Sequence, residues 1–109
     1  MSITFKAMAR VAVGTTLSTA YTVPASTVAV LKELNFTNTA TVARKIRAHI
    51  VPTAESATTS NAIIYDMTIP ANSPFPLQYH MVLNAGDRIQ VVADFTGVTL
   101  TASGIEEAL

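Results

Sequence analysis

The stretch Thr41-Val42-Ala43-Arg44-Lys45-Ile46-Arg47-Ala48-His49-Ile50-Val51, followed by Pro52, admits two readings, and the choice between them decides the fold. With period two, Val42, Ile46, Ala48 and Ile50 share one side and Lys45, Arg47 and His49 the other, and only Arg44 breaks the apolar face. A helix over residues 43–50 draws support from Ala, Arg and Lys. The strand reading is preferred, because the period-two match runs longer and Pro52 ends the segment without a helix cap.

The same alternation recurs on both sides. Towards the N-terminus, Ile3, Phe5, Ala7, Ala9, Val11 and Val13 face Thr4, Lys6, Met8 and Arg10 across one strand, which Gly14-Thr15 ends. Residues 17–23 form a short segment stopped by Pro24. Val28, Val30, Leu34 and Phe36 then alternate with Ala29, Leu31, Glu33 and Asn35. Thr37-Asn38-Thr39 closes that strand with the turn chemistry that Asn offers at positive φ. Residues 53–61 are small and polar, an exposed loop or hairpin tip.

Beyond them, Ile63, Tyr65, Met67 and Ile69 face one way against Asp66 and Thr68, up to Pro70. Ala71-Asn72-Ser73-Pro74-Phe75-Pro76 predicts a wide turn, since two prolines one residue apart deny donors to a ladder. A brief strand over 77–83 leads to Asn84-Ala85-Gly86-Asp87, a tight turn with glycine where positive φ is needed. Ile89, Val91 and Ala93 form the inner side of the next strand. Phe95-Thr96-Gly97 turns into Val98, Leu100 and Ala102, and residues 104–109 complete a strand, curl into one helical turn or trail as a tail.

About eight short segments with turn signals between them predict an all-β, antiparallel β-sandwich, jelly-roll-like, without internal repeats or long helices. A length of 109 residues fits one domain over 1–109, with 1–14 as an extended N-terminal strand or arm.

Seven Lys+Arg balance seven Asp+Glu, so no net charge draws the chain to nucleic acid or an anionic membrane. No apolar run is long enough to span a bilayer, and the N-terminus lacks the pattern of a secretion signal. The absence of cysteine removes thiol nucleophiles, thiolate metal sites and disulfides. His49 and His80 have no metal-ligand spacing and read as a solvated or interface residue and a hydrogen-bonded structural one. No Gly-x-Ser-x-Gly context exists. Glu106-Glu107 reads as a solvated tail or a partner contact, and Arg44-Lys45-Arg47 holds too few charges to track phosphates. Gly14, Gly86 and Gly97 lie too far apart for a phosphate loop. No catalytic, cofactor-binding or metal-binding residue is predicted, and the expectation is a non-enzymatic protein. A mean hydropathy of +0.39 with so little charge instead predicts that apolar surface meets a partner, with self-association into a homo-oligomer.

Three passages carry a resemblance: Leu17-Ser18-Thr19-Ala20-Tyr21-Thr22-Val23-Pro24; Val28 through Thr39, a strand ending at an Asn-Thr turn; and Val82-Leu83-Asn84-Ala85-Gly86-Asp87-Arg88-Ile89-Gln90-Val91. In these the chain resembles the small β-sandwich virion proteins of tailed bacteriophages. The resemblance implies a structural role in the virion, assembled in the host cytoplasm. One form is a capsid decoration (cement) protein that bridges major capsid protein subunits; the other is a tail, neck or fibre component. The partner-binding residues expected on this reading are Phe5, Lys6, Met8, Arg10, Lys45 and Arg47. Two rivals are a carbohydrate-binding sandwich stacking sugars on Tyr21, Tyr65 or Tyr79 and a small hydrolase or cupin-like metal enzyme. The N-terminal segment and residues 53–61 are expected to be mobile until a partner orders them.

Overall fold

Alternation between apolar and polar residues is realised as eight strands in a computed structural model that describes residues 2–109. They are β1 (Ser2–Val13), β2 (Ser18–Thr22), β3 (Thr27–Asn38), β4 (Arg44–Val51), β5 (Ala62–Ile69), β6 (Ser73–Leu83), β7 (Arg88–Ala93) and β8 (Val98–Ala108), with a 3-10 turn at Thr59–Asn61. The helix alternative for residues 43–50 is not taken. Two antiparallel four-stranded sheets form, one in the order β1-β8-β3-β6 and the other β2-β7-β4-β5. β1 pairs with β8, β2 with β7, β3 with β6 and β4 with β5, as in one long hairpin rolled over itself. That connectivity is a jelly roll.

The sheets differ in reach. Strands of the first, the long sheet, have 11 or 12 residues, whereas those of the short sheet have 5 to 8. Their facing sides bury Leu31, Leu34, Phe36, Ile46, Ile69, Leu83, Ile89 and Leu100 completely. On β1, Phe5 pairs with Ile105 and Ile3 with Glu107, outward positions of β8, which leaves Ile3 and Phe5 exposed rather than packed inward.

Phase slips explain where period-two reading assigns the wrong face. On β1 the register moves from Ala7↔Ser103 to Ala9↔Ala102, so Met8 is an extra residue. Its side chain, expected outside, lies in the core. On β3 the partners of β8 move from Leu31↔Gly104 to Glu33↔Ser103, making Lys32 the extra residue. Ala29 and Leu31 therefore point inward before it and Leu34 and Phe36 after it. Opposite Lys32, β6 accommodates the slip at Tyr79 and His80. The bulges line up across the long sheet as a crease, with β8 running unbroken through it. Gly104 of β8 is where chains approach closest, since a Cβ there would come within 2.2 Å of the Val30 carbonyl oxygen and 2.6 Å of Met8 Cε.

Three further expectations are corrected. Pro74 and Pro76 lie inside β6, opposite Thr37 and Asn35. β6 is an edge strand, and residues two apart direct their backbone nitrogens to the same side, so both missing donors face the side without a neighbour. Asn38 is not a positive-φ turn residue but the fully buried end of β3. Its Nδ2 shares protons among the carbonyls of Val42 (2.9 Å), Ile69 (3.1 Å) and Pro70 (3.2 Å), and its Oδ1 accepts from the Ala40 amide (2.9 Å). Finally, of the alternatives for residues 104–109 the strand is taken, as residues 104–108 complete β8, and it is the solvated-tail reading of Glu106 that is corrected, for its carboxylate accepts a hydrogen bond from the Tyr21 hydroxyl on the opposite sheet. The turn at Asn84-Ala85-Gly86-Asp87 is as expected, with Gly86 at φ 86°.

Asn38→Ala leaves several buried backbone groups without partners, and it is expected to cost about 2–4 kcal/mol in urea unfolding followed by circular dichroism. A loss below about 0.5 kcal/mol would contradict the role given to this side chain. Burial foremost, and then the bond to Glu106, raises the Tyr21 pKa. A raised folded-state value means that the neutral phenol's contribution is complete below the unfolded value of about 10 and is lost as pH rises through the folded one. Tyr21→Phe is therefore expected to flatten the alkaline limb of a Tm-against-pH curve. Part of that limb survives, because burial raises the Tyr79 pKa as well.

Candidate functional site

The outer face of the long sheet carries an apolar row. Phe5 pairs with Ile105, Ile105 with Val30, and Val30 with Val82, so all four side chains stand on one side of neighbouring strands. Phe5 is 87% exposed and Val82 66%. One step further along, Ile3 and Val28 flank Glu107. The other half of the face is polar or small, with Thr101, Asn35, Thr99 and Thr37 in its centre. Alongside β1 a depression of about 490 Å³ runs between Phe5 and Ile105 on one hand and Lys6, Arg10 and Lys32 on the other. Lys32 Nζ lies 3.0 Å from His80 Nδ1. Phe5, Lys6 and Arg10 all line the depression; Lys32 joins them because the crease turns it outward, whereas Met8 lies in the core.

Lys45 and Arg47 lie on the other side of the molecule. On β5, Tyr65 and Asp66 together oppose Arg47, a bulge in which Asp66 takes φ 52°. This brings both side chains to one guanidinium. Arg47 Nε donates to Asp66 Oδ1 at 2.6 Å and Nη2 to Oδ2 at 3.1 Å, and its Cζ stands 4.2 Å from the Tyr65 ring centre. Lys45 is exposed beside this pair, its backbone amide held by Asp94 Oδ1 at 2.9 Å.

His49 shares the Arg47 side of β4 yet is only 5% exposed, because the loop before β5 folds back over it. Asn61 ties that loop: its Oδ1 accepts from the Thr58 amide (3.0 Å) and lies 2.9 Å from His49 Nδ1, while Nδ2 donates to the Ser56 carbonyl (3.0 Å). Arg88 also donates to the Glu55 carbonyl.

Two outer faces on a complete jelly roll are thereby defined. The same fold occurs in chains of infectious bursal disease virus. A structure of its Gx strain aligns with 98% of this chain and 33% of the viral one at TM-score 0.60 and 12% identity. A structure of the Gt strain aligns with 96% and 32% at 0.55 and 9%. A crystal structure of the T13 viral particle aligns with 96% and 30% at 0.52 and 8%. This chain spans about a third of the length of those it matches. No family model matches it, and no curated protein matches it in sequence. The likeness is one of fold, shared with a viral β-sandwich, and carries nothing specific to tailed bacteriophages.

Among the described residues, no three His, Asp or Glu side chains gather where they could hold a metal. Of the three tyrosines, Tyr21 is buried, Tyr79 packs against the core, and exposed Tyr65 has Arg47 over its ring. None offers a bare platform for a sugar. What these faces can do is bind by apolar contact, backbone pairing and charge.

The hydrogen bond from Arg47 holds the Asp66 carboxyl below its ordinary value, burial opposing it only in part, and the same bond raises Arg47. A depressed folded-state pKa places the contribution above the unfolded carboxylate range and removes it as pH falls through the folded value. In a carboxyl NMR titration, Asp66 is expected to titrate below about 3.9, the free aspartate value, and to return towards it in Arg47→Met. An unchanged midpoint in that variant would remove the pair's role.

Proposed function

We propose that this protein is a non-enzymatic structural component of a virus particle, a decoration or cement protein that bridges major capsid protein subunits. The observation that carries the reading is the complete jelly-roll topology, alignable over nearly its whole length with chains of an icosahedral virus. Exposed apolar residues on the long sheet and a chain of net charge zero support association with protein rather than with nucleic acid. In this reading residues 1–109 act as one domain of a tailed-bacteriophage virion, assembled in the host cytoplasm. Phe5, Lys6 and Arg10 make the principal partner contacts, and Lys45 and Arg47 lie on a second contact face. Modest contacts repeated by symmetry supply the stabilisation of the shell.

Purified particles of the virus that encodes the chain test this by gel densitometry and cryo-electron microscopy. Copies at every equivalent position of the shell are expected, together with earlier heat disruption of particles assembled without the protein. Absence from the shell, or a handful of copies at a tail or neck, would replace decoration with the tail or neck role.

A further inference from the structure

A two-sheet sandwich has four edges, and here they are not equivalent. β6 carries Pro74 and Pro76 and then a bulge at Tyr79 and His80. β5 is interrupted by its bulge at Tyr65 and Asp66. β2 has five residues and a bulge of its own between Thr19 and Tyr21. These are the devices by which sheets refuse further strands. β1 differs: from Ser2 to Ala7 it keeps one register against β8, contains neither proline nor bulge, and leaves Ile3 and Phe5 exposed.

Beside this open edge lies the depression whose charged lining is Lys6, Arg10 and Lys32. Among the described residues none of the three forms a salt bridge, and Glu33 lines the adjoining hollow instead. β1 has no acidic residue. We infer that Ser2–Ala7 receives an extended segment of another protein as a fifth strand, and that this segment combines apolar with acidic side chains. Its backbone would pair with the free edge, apolar residues on its outer side would extend the row that begins at Phe5, and its carboxylates would meet Arg10 and Lys32 on that side and Lys6, which alternates with Phe5, on the other. A second copy of β1 fits less well, for antiparallel pairing centred on Met8 sets Lys6 against the other copy's Arg10, and other offsets bring no acid to either. Three cations are too few for a nucleic-acid track. The inference names the chemistry of the partner and rests on the structural reading above only for that partner being another virion protein.

The test uses the full chain with three labelled ten-residue peptides: alternating Glu and Val, alternating Lys and Val, and the Glu peptide N-methylated at every second residue. Fluorescence anisotropy is expected to show the Glu peptide binding at least about tenfold more tightly than either other, with the preference weakening in high salt. Hydrogen exchange should slow at residues 2–7 on binding. Reversing all three charges in Lys6→Glu/Arg10→Glu/Lys32→Glu, whose fold is checked by circular dichroism, should invert the preference between the first two peptides. Equal binding of the Glu and Lys peptides, undiminished binding of the N-methylated one, protection elsewhere, or tighter binding of a single-stranded oligonucleotide would each overturn the inference. Because no particle enters the assay, a failure here is distinct from a failure of the protein to decorate a shell.

Discussion

The structure depends on one packing constraint: each strand must keep its apolar side towards the gap between the sheets, although the sequences of neighbouring strands fall out of step. In the long sheet the step is lost at Met8 on β1, at Lys32 on β3 and at Tyr79 and His80 on β6. The slips on β1 and β3 meet β8 between Ala102 and Gly104, that on β6 meets β3 at Lys32, and β8 itself keeps a strict inward series of Val98, Leu100, Ala102 and Gly104. One regular strand thus aligns the slips of its neighbours into a single crease. The crease requires a residue without a side chain where Met8 crosses β8, and Gly104 supplies it.

Much of the architecture was legible in the sequence because β8, β7 and β4 alternate cleanly and glycines stand at two turns. What was hidden follows from slips and from edges. Ala7-Met8-Ala9 is apolar throughout, so alternation there has no readable phase. The consecutive polar pair Lys32-Glu33 was a visible sign of the slip on β3, since two polar neighbours cannot both follow period two. Proline at positions 74 and 76 argued against a strand, but the argument holds for a strand with neighbours on both sides, and edge position is a property of topology. Asn38, Tyr21 and Glu106 were misjudged for a related reason: deciding partners are remote in sequence, Ile69 and Pro70 for Asn38, and 85 residues apart for Tyr21 and Glu106.

The candidate surfaces were half legible. Phe5, Lys6 and Arg10 do meet, whereas Lys32 could not be foreseen without the crease. Lys45 and Arg47 were expected to bind a partner, and what the sequence did not show is the bulge on β5 that delivers Asp66 and Tyr65 to Arg47. The short sheet presents internally satisfied polar groups partly roofed by a loop, while the long sheet presents apolar residues and the cations Lys6, Arg10 and Lys32. That asymmetry, more than any single residue, separates an apolar outer face from a polar one.

The two prolines of β6 have a consequence for growth. Strand-by-strand polymerisation needs every subunit to have a donor side and an acceptor side, so that each addition creates a new place to add. With one end of the long sheet sealed, a molecule that has been joined along β1 presents nothing for the next to continue from. Joining at β1 would therefore end in finite complexes instead of ribbons.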